Sequence, residues 1–111
     1  MANQFKSYPT SQITTDGAIV YTVPPLVSTI GVGLVLSNTS RNPYSANVSI
    51  TRSSNTYYII SNATIPVGGS LVVAGVDQKL VLQSEDEVNV QPSANNCCDV
   101  WFSVLEITPA V

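Results

Sequence analysis

The stretch of residues 65–90, IPVGGSLVVAGVDQKLVLQSEDEVNV, most constrains how this chain can fold. Turn-forming residues at 66–69, 75–77 and 84–86 separate short runs rich in Val and Leu. The stretch has neither the length nor the 3.6-residue apolar period of a helix. Short β-branched runs separated by turns at this spacing predict sequential antiparallel strands of an all-β sandwich or barrel.

The same pattern continues along the rest of the chain and predicts seven or eight antiparallel strands in all. The run 28–37 is the most apolar and is expected to be a central strand, with Gly31 and Gly33 marking a bulge or a close backbone approach. We therefore expect a single β-sandwich of jelly-roll or immunoglobulin-like type over residues 16–111, with a closed barrel as the alternative. The predicted strands are 17–23, 28–37, 44–52, 56–61, 70–74, 79–83, 87–91 and 98–107.

Residues 1–15 differ from the rest because they are polar, contain Pro9 and show no alternation. We expect them to form an extended N-terminal arm. Phe5 and Tyr8 are its large apolar side chains, and such an arm can dock on a neighbouring subunit. The alternative is a partly disordered terminus.

Charge is unusually scarce. Only 10% of the residues are charged, and the net charge is −3. A surface with so few charges favours association over solubility as a free monomer. The four basic residues are scattered, which argues against a nucleic-acid partner. No apolar run is long enough to span a membrane, and residues 1–12 lack the apolar segment of a secretory signal. We therefore expect neither a secretory signal nor a membrane partner.

The residues needed for common catalytic chemistry are also missing. The chain has no histidine, and its only cysteines are the adjacent Cys97 and Cys98, which are expected to be free thiols. The acidic residues Glu85, Asp86 and Glu87 are expected in a solvated turn outside the core, with a calcium loop as the weaker alternative. We therefore expect no enzyme activity, no cofactor and no metal.

Large aromatic side chains are the best candidates for contacts with other subunits. Trp101 lies on the opposite face of its predicted strand from Val100 and Phe102, and is either a core anchor or a contact residue. Tyr57 and Tyr58 are also candidates for stacking on a sugar. The candidate contact residues are Phe5, Tyr8, Tyr44, Tyr57, Tyr58 and Trp101.

Several segments together resemble small virion proteins of tailed bacteriophages, and phages of cyanobacteria in particular. The likeness spans residues 19–107, and its motifs are structural rather than catalytic. The segments are IVYTVP at 19–24, GLVLSNTS at 33–40, IPVGGSL at 65–71, KLVL at 79–82, the acidic pair Glu85 and Asp86, and VLEI at 104–107.

This resemblance implies a β-sandwich that assembles on the phage particle in the cytoplasm of the host bacterium. Its partners would be capsid or other virion proteins and further copies of itself, with a trimer favoured. The first expectation is a capsid decoration, or cement, protein that binds the shell exterior and stabilises it. The alternatives are a neck, tail, baseplate or fibre component, and a carbohydrate-binding module that adheres to the host.

Overall fold

A computed structural model describes residues 2–75 and 78–109. Within these ranges the secondary structure consists of nine strands and no helix, which confirms the all-β prediction. Parts of the turn expected at 75–77 and the last two residues of the expected domain lie outside the described residues. The strands are β1 (Ala2–Thr10), β2 (Ala18–Thr22), β3 (Ser28–Asn38), β4 (Tyr44–Arg52), β5 (Asn55–Ile65), β6 (Ser70–Ala74), β7 (Leu80–Leu82), β8 (Glu87–Pro92) and β9 (Cys98–Thr108).

The strands form two antiparallel sheets that pack as a sandwich. The larger sheet has the order β1-β9-β3-β6, with β7 also paired to β3, and the smaller sheet has the order β2-β8-β4-β5. Apart from β7, the first strand pairs with the last, the second with the next to last, and so on inwards to β4 and β5. This nested pairing is a jelly roll, so the structure decides against an immunoglobulin-like order and a closed barrel.

Alternating side chains of both sheets fill the space between them. On β9, Val100, Phe102 and Val104 point inwards and are at most 3% exposed, whereas Trp101 points outwards. This is the alternation expected from the sequence of residues 98–107. Further side chains with no exposed surface are Val23, Leu34, Leu36, Val48, Ile65, Leu82, Val88 and Val90.

Gly31 lets β3 approach the core closely. A Cβ atom at this position would lie 2.9 Å from Cε1 of Phe102 and 3.2 Å from Cβ of Leu80. The pairing of β3 with β9 also shifts between Gly31 and Gly33. Both the bulge and the close approach expected at these glycines are therefore present.

The segment expected to be an N-terminal arm supplies the strand that brings the total to nine. Each residue of β1 pairs with β9 of the same chain, from Ala2 opposite Thr108 to Thr10 opposite Val100. Ile13, which follows this strand, is 2% exposed in the core. The described part of residues 1–15 is therefore extended and lies in the sandwich as an edge strand.

Candidate functional site

The outer face of the larger sheet carries apolar side chains where a solvated sheet surface normally carries polar ones. Directly paired residues lie on the same face of a sheet, so the strand register aligns these side chains in two rows. We call the two rows together the apolar face. The first row is Pro9, Trp101, Val35 and Val72, and the second is Phe5, Leu105, Ile30 and Val81.

Four of the eight side chains of the apolar face are more than half exposed to solvent. Phe5 is 75% exposed, Val81 71%, Val72 61% and Trp101 54%. Along β1, β3 and β9, Asp99 near one end is the only charged side chain that alternation directs outwards. The row Ser7, Ser103 and Gly33 lies between the two apolar rows and carries only small side chains. Exposed apolar side chains clustered on one sheet face in this way are typical of an interaction site.

A groove of 370 Å³ lies beside Trp101 on this face. Pro9 and Val35, the partners of Trp101 on the two neighbouring strands, line it together with residues 10–11 and 99–100. Trp101 can insert into a partner, and the groove beside it can receive a side chain of that partner. This is therefore the part of the apolar face best suited to a strong contact.

The outer face of the smaller sheet has the opposite character. Hydroxyl and amide side chains cover it, and its larger exposed side chains are Ile19 and Tyr58, at 54% and 61%. The two outer surfaces of the sandwich therefore differ sharply in chemistry. We call this second surface the polar face, and its hydroxyl and amide residues are Asn47, Ser49, Thr51, Thr56, Asn89 and Gln91.

The six expected contact residues lie in different environments. Phe5 and Trp101 both lie on the apolar face, in different rows, on the neighbouring strands β1 and β9. Tyr8 is partly buried and donates a hydrogen bond to Glu106. Tyr44 is 4% exposed in the core, where its hydroxyl donates to the carbonyl of Ser37, so it offers almost no surface to a partner.

Tyr57 and Tyr58 project from opposite sides of β5. Tyr58 pairs with Ser49 on the polar face, whereas Tyr57 pairs with Ile50 and lines a separate depression with Arg52 and Ile59. Both rings are more than half exposed. They cannot act as one stacking platform for a sugar, because neighbouring residues of a strand face opposite ways.

A buried polar cluster holds β1 against the sandwich. Glu106 is 5% exposed and accepts hydrogen bonds from Tyr21 at 2.6 Å and Tyr8 at 3.0 Å, while Nζ of Lys6 lies 3.0 Å from its other oxygen. Burial acts to raise the pKa of Glu106, but these donors outweigh burial and lower the pKa below its ordinary value. The inward direction of Lys6 and Tyr8 leaves Phe5 pointing outwards, on the apolar face.

Of the two charges in the turn at 84–86, Glu85 is exposed as expected, whereas Asp86 contradicts the expectation that both lie outside the core. Asp86 is 1% exposed and accepts two hydrogen bonds from Arg52, at 2.9 and 2.6 Å, and one from the backbone of Gln83 at 2.8 Å. Pairing with Arg52 holds the pKa of Asp86 below its usual value against the effect of burial. A buried carboxylate is tolerated here because each oxygen has a donor.

The described residues bring together no catalytic group. Cys97 and Cys98 are free and buried, and burial raises the pKa of both thiols, which keeps them protonated and unreactive. Within residues 2–75 and 78–109, no group of three or more Cys, Asp or Glu side chains could hold a metal ion. No helix in the same ranges is long and apolar enough to cross a membrane.

Most of the apolar face could not be identified from the sequence. Ile30, Val35 and Leu105 belong to runs that are apolar on both faces of their strands. Such runs indicate that the outer face of the sheet is covered, but they do not show how far the apolar surface extends. Val72 and Val81 lie in short apolar runs and carry no such signal. Only the register between strands aligns these side chains with Phe5 and Trp101.

Solved viral structures contain chains with a similar fold. A chain of the T13 particle of infectious bursal disease virus matches with a TM-score of 0.57 and 12% identity, over 96% of this chain and 31% of that one. A chain of the VP2 subviral particle of that virus gives 0.50 and 15%, over 94% and 32%. The present chain thus spans about a third of the length of these two.

A third similar chain is close to the present one in size. It belongs to the acid-stable capsid structure of the Helicobacter pylori bacteriophage KHP30, with a TM-score of 0.53 and 12% identity, over 99% of this chain and 90% of that one. At such identities the likeness is one of fold. No protein-family model and no curated protein matches the sequence.

Proposed function

We propose that this chain is a virion structural protein, and specifically a capsid decoration protein of a bacteriophage that binds the shell exterior through the apolar face. The observation that carries the proposal is the pair of apolar rows across the larger sheet, with Phe5 and Trp101 exposed. The similar chains in viral capsid structures support a role in a virion, and one of them matches over nearly its whole length.

The mechanism is mechanical rather than catalytic. Covering a large apolar side chain completely is worth about 1.5–3 kcal/mol, so the four side chains, which are 54–75% exposed, offer roughly 4–8 kcal/mol in all. Association itself costs a comparable amount, so one copy binds the shell weakly. For this reason the proposal includes a trimer, because linked copies bind a repeating surface with far greater avidity.

Low charge fits this role. Copies that sit close together on a shell repel one another less when each carries few charges, and only 10% of these residues are charged. Asp99 is the one charged side chain directed outwards from β1, β3 and β9, so shell contacts along these strands would bury almost no charge. The acidic Asp86 and Glu106 are paired inside the chain.

The proposal is tested with particles that lack this protein, to which purified protein is added back. We expect the wild type to saturate the particles, and the double variant Phe5→Ser, Trp101→Ser to bind roughly 100-fold more weakly. Ile19→Ser on the polar face is the matched control, because Ile19 and Trp101 are both 54% exposed. Equal loss of binding by control and double variant, with unchanged folding, would refute the role of the apolar face.

Copy number separates the shell from other places on the virion. Quantitative mass spectrometry of intact particles should find on the order of hundreds of copies for a decoration protein. A neck, tail or baseplate component would be present at roughly six to twelve copies, as expected for a ring at one vertex. Sedimentation of the free protein tests the trimer.

A further inference from the structure

We infer that the polar face is a second, independent binding site and that its ligand is a neutral carbohydrate. The site is a groove of 340 Å³ on the outer side of the smaller sheet. One row of paired residues crosses the four strands of this sheet: Ile19, Asn89, Ser49 and Tyr58. The inference does not depend on the proposed function, because the groove and the apolar face lie on opposite sides of the sandwich.

An aromatic ring in this groove is available to a ligand. Tyr58 is 61% exposed and lines the groove. It pairs with Ser49 on the neighbouring strand β4, and Ser49 is only 8% exposed. The face of an aromatic ring packs well against the C–H groups on one side of a pyranose, while the phenol hydroxyl can bond to a sugar oxygen.

Amide side chains in the groove are held in fixed orientations. Asn89 donates from Nδ2 to the hydroxyl of Thr51 at 3.1 Å, and Gln91 donates from Nε2 to the carbonyl of Thr15 at 3.0 Å. Oδ1 of Asn47 accepts from the backbone of Asn62 at 2.7 Å. These bonds leave the side-chain carbonyl oxygens of Asn89 and Gln91 and the amino group of Asn47 available to a ligand. Such an alternation of acceptors and donors matches sugar hydroxyls, which both donate and accept.

The charge of the groove decides against the other ligands that could stack on Tyr58. Among the described residues, its lining contains no Lys or Arg, and Asp16 is the one charged residue in it. A nucleotide, a nucleic acid or a sulfated sugar would place its negative charge near this carboxylate without compensation. A neutral polyhydroxylated ring has no such cost, which favours a carbohydrate.

The two neighbouring tyrosines provide a matched pair of variants. Tyr57 is 57% exposed, close to the 61% of Tyr58, but it lies on the other side of β5 and does not line the groove. Tyr58→Ala removes the stacking ring, Tyr58→Phe keeps it, and Tyr57→Ala removes an equally exposed ring outside the site. All three changes are at exposed positions, so the variants should fold.

The experiment is an amide NMR titration of the intact chain with the methyl glycosides of glucose, galactose, mannose and N-acetylglucosamine, each to about 50 mM, well above a millimolar Kd. We expect saturating shifts at Asn47, Ser49, Tyr58 and Asn89 with at least one sugar. Tyr58→Ala should weaken this binding about tenfold, whereas Tyr58→Phe and Tyr57→Ala should change it less than about twofold.

Three results would overturn the inference. The first is the absence of saturable shifts at these amides with all four sugars. The second is saturable shifts that lie elsewhere on the chain. The third is an equal loss of binding in Tyr57→Ala and Tyr58→Ala. Since none of these results concerns the apolar face, each would leave the proposed virion function standing.

Discussion

The phenol oxygen of Tyr21 on β2 lies 2.6 Å from Oε2 of Glu106 on β9, and this hydrogen bond joins the two sheets through the interior. Both side chains are 5% exposed. The same phenol also bonds Oγ1 of Thr29 on β3 at 2.9 Å. The same carboxylate accepts from Tyr8 and pairs with Lys6, and it thereby holds β1 at the edge of the larger sheet. The position of Phe5 on the apolar face thus depends on a polar cluster on the other side of the strand.

Replacing Glu106 with Leu should destabilise the fold by about 2–4 kcal/mol, because Tyr8 and Lys6 lose their partner and the buried hydroxyl of Tyr21 keeps only Thr29. Glu106→Gln keeps one acceptor oxygen and should cost roughly half as much. Urea unfolding followed by Trp101 fluorescence measures both. If the Leu variant were as stable as the wild type, the cluster would not hold β1 in place.

Acid should weaken the fold through Asp86 and Glu106. Their pKa values are lowered in the folded state, by Arg52 for Asp86 and by hydrogen-bond donors that outweigh burial for Glu106. A lowered folded pKa gives stability that is present above the ordinary carboxyl range and is lost as pH falls through the folded value. The urea midpoint should therefore stay level from pH 7 to about 5 and decline below that.

Arg52→Met provides the control for this pH dependence. Without its guanidinium partner, Asp86 loses the main cause of its lowered pKa, so the variant should be less stable at pH 7. It should also lose less stability on acidification than the wild type does. The same acid dependence in both proteins would show that the Arg52–Asp86 pair does not contribute to it.

Gly31→Ala should destabilise the protein by about 1–3 kcal/mol, because the new methyl group would meet the ring of Phe102, which has no room to move in the core. Gly33→Ala is the control. The nearest atom to a Cβ at Gly33 is Cβ of Ser103 at 3.9 Å, an ordinary contact. Thermal unfolding of the two variants should therefore differ clearly, and equal midpoints would contradict the close packing described for β3.

Changing Ser53 and Ser54 to Asn and Gly should stabilise the hairpin between β4 and β5. Arg52 pairs with Asn55 across this two-residue turn, and both serines have positive φ, at 52° and 66°. Asn-Gly is the sequence best suited to such a turn, so we expect a gain of up to about 1 kcal/mol. A loss of stability in thermal unfolding would mean that the turn has another geometry.

The strands after β1 were predictable because each combines local alternation or a short apolar run with a clear turn. The predicted strand 44–52 matches β4 residue for residue, and 70–74 matches β6. β1 was not predicted because its polar residues Lys6 and Tyr8 point inwards, while the apolar Phe5 points outwards. This reversal of the usual pattern depends on Glu106, which is distant in the sequence and binds both Lys6 and Tyr8.

The candidate site was predictable only in part, since it is made by pairing between distant strands. Phe5 and Trp101 were identifiable by size, but their placement on one face of the larger sheet follows from the register of β1 with β9. The burial of Asp86 likewise depends on Arg52, which is 34 residues away in the sequence. In each case the deciding contact is long-range, and a local pattern carries no signal of it.

Hydroxyl-radical footprinting of the free protein and of the protein on purified particles tests most directly whether the apolar face is the docking surface. The three aromatic side chains to follow are Phe5, Trp101 and Tyr58, all more than half exposed in the single chain. We predict that Phe5 and Trp101 become protected on the particle, whereas Tyr58 is oxidised as fast as in the free protein. Protection of Tyr58 with unchanged oxidation of Phe5 and Trp101 would contradict the proposed docking surface.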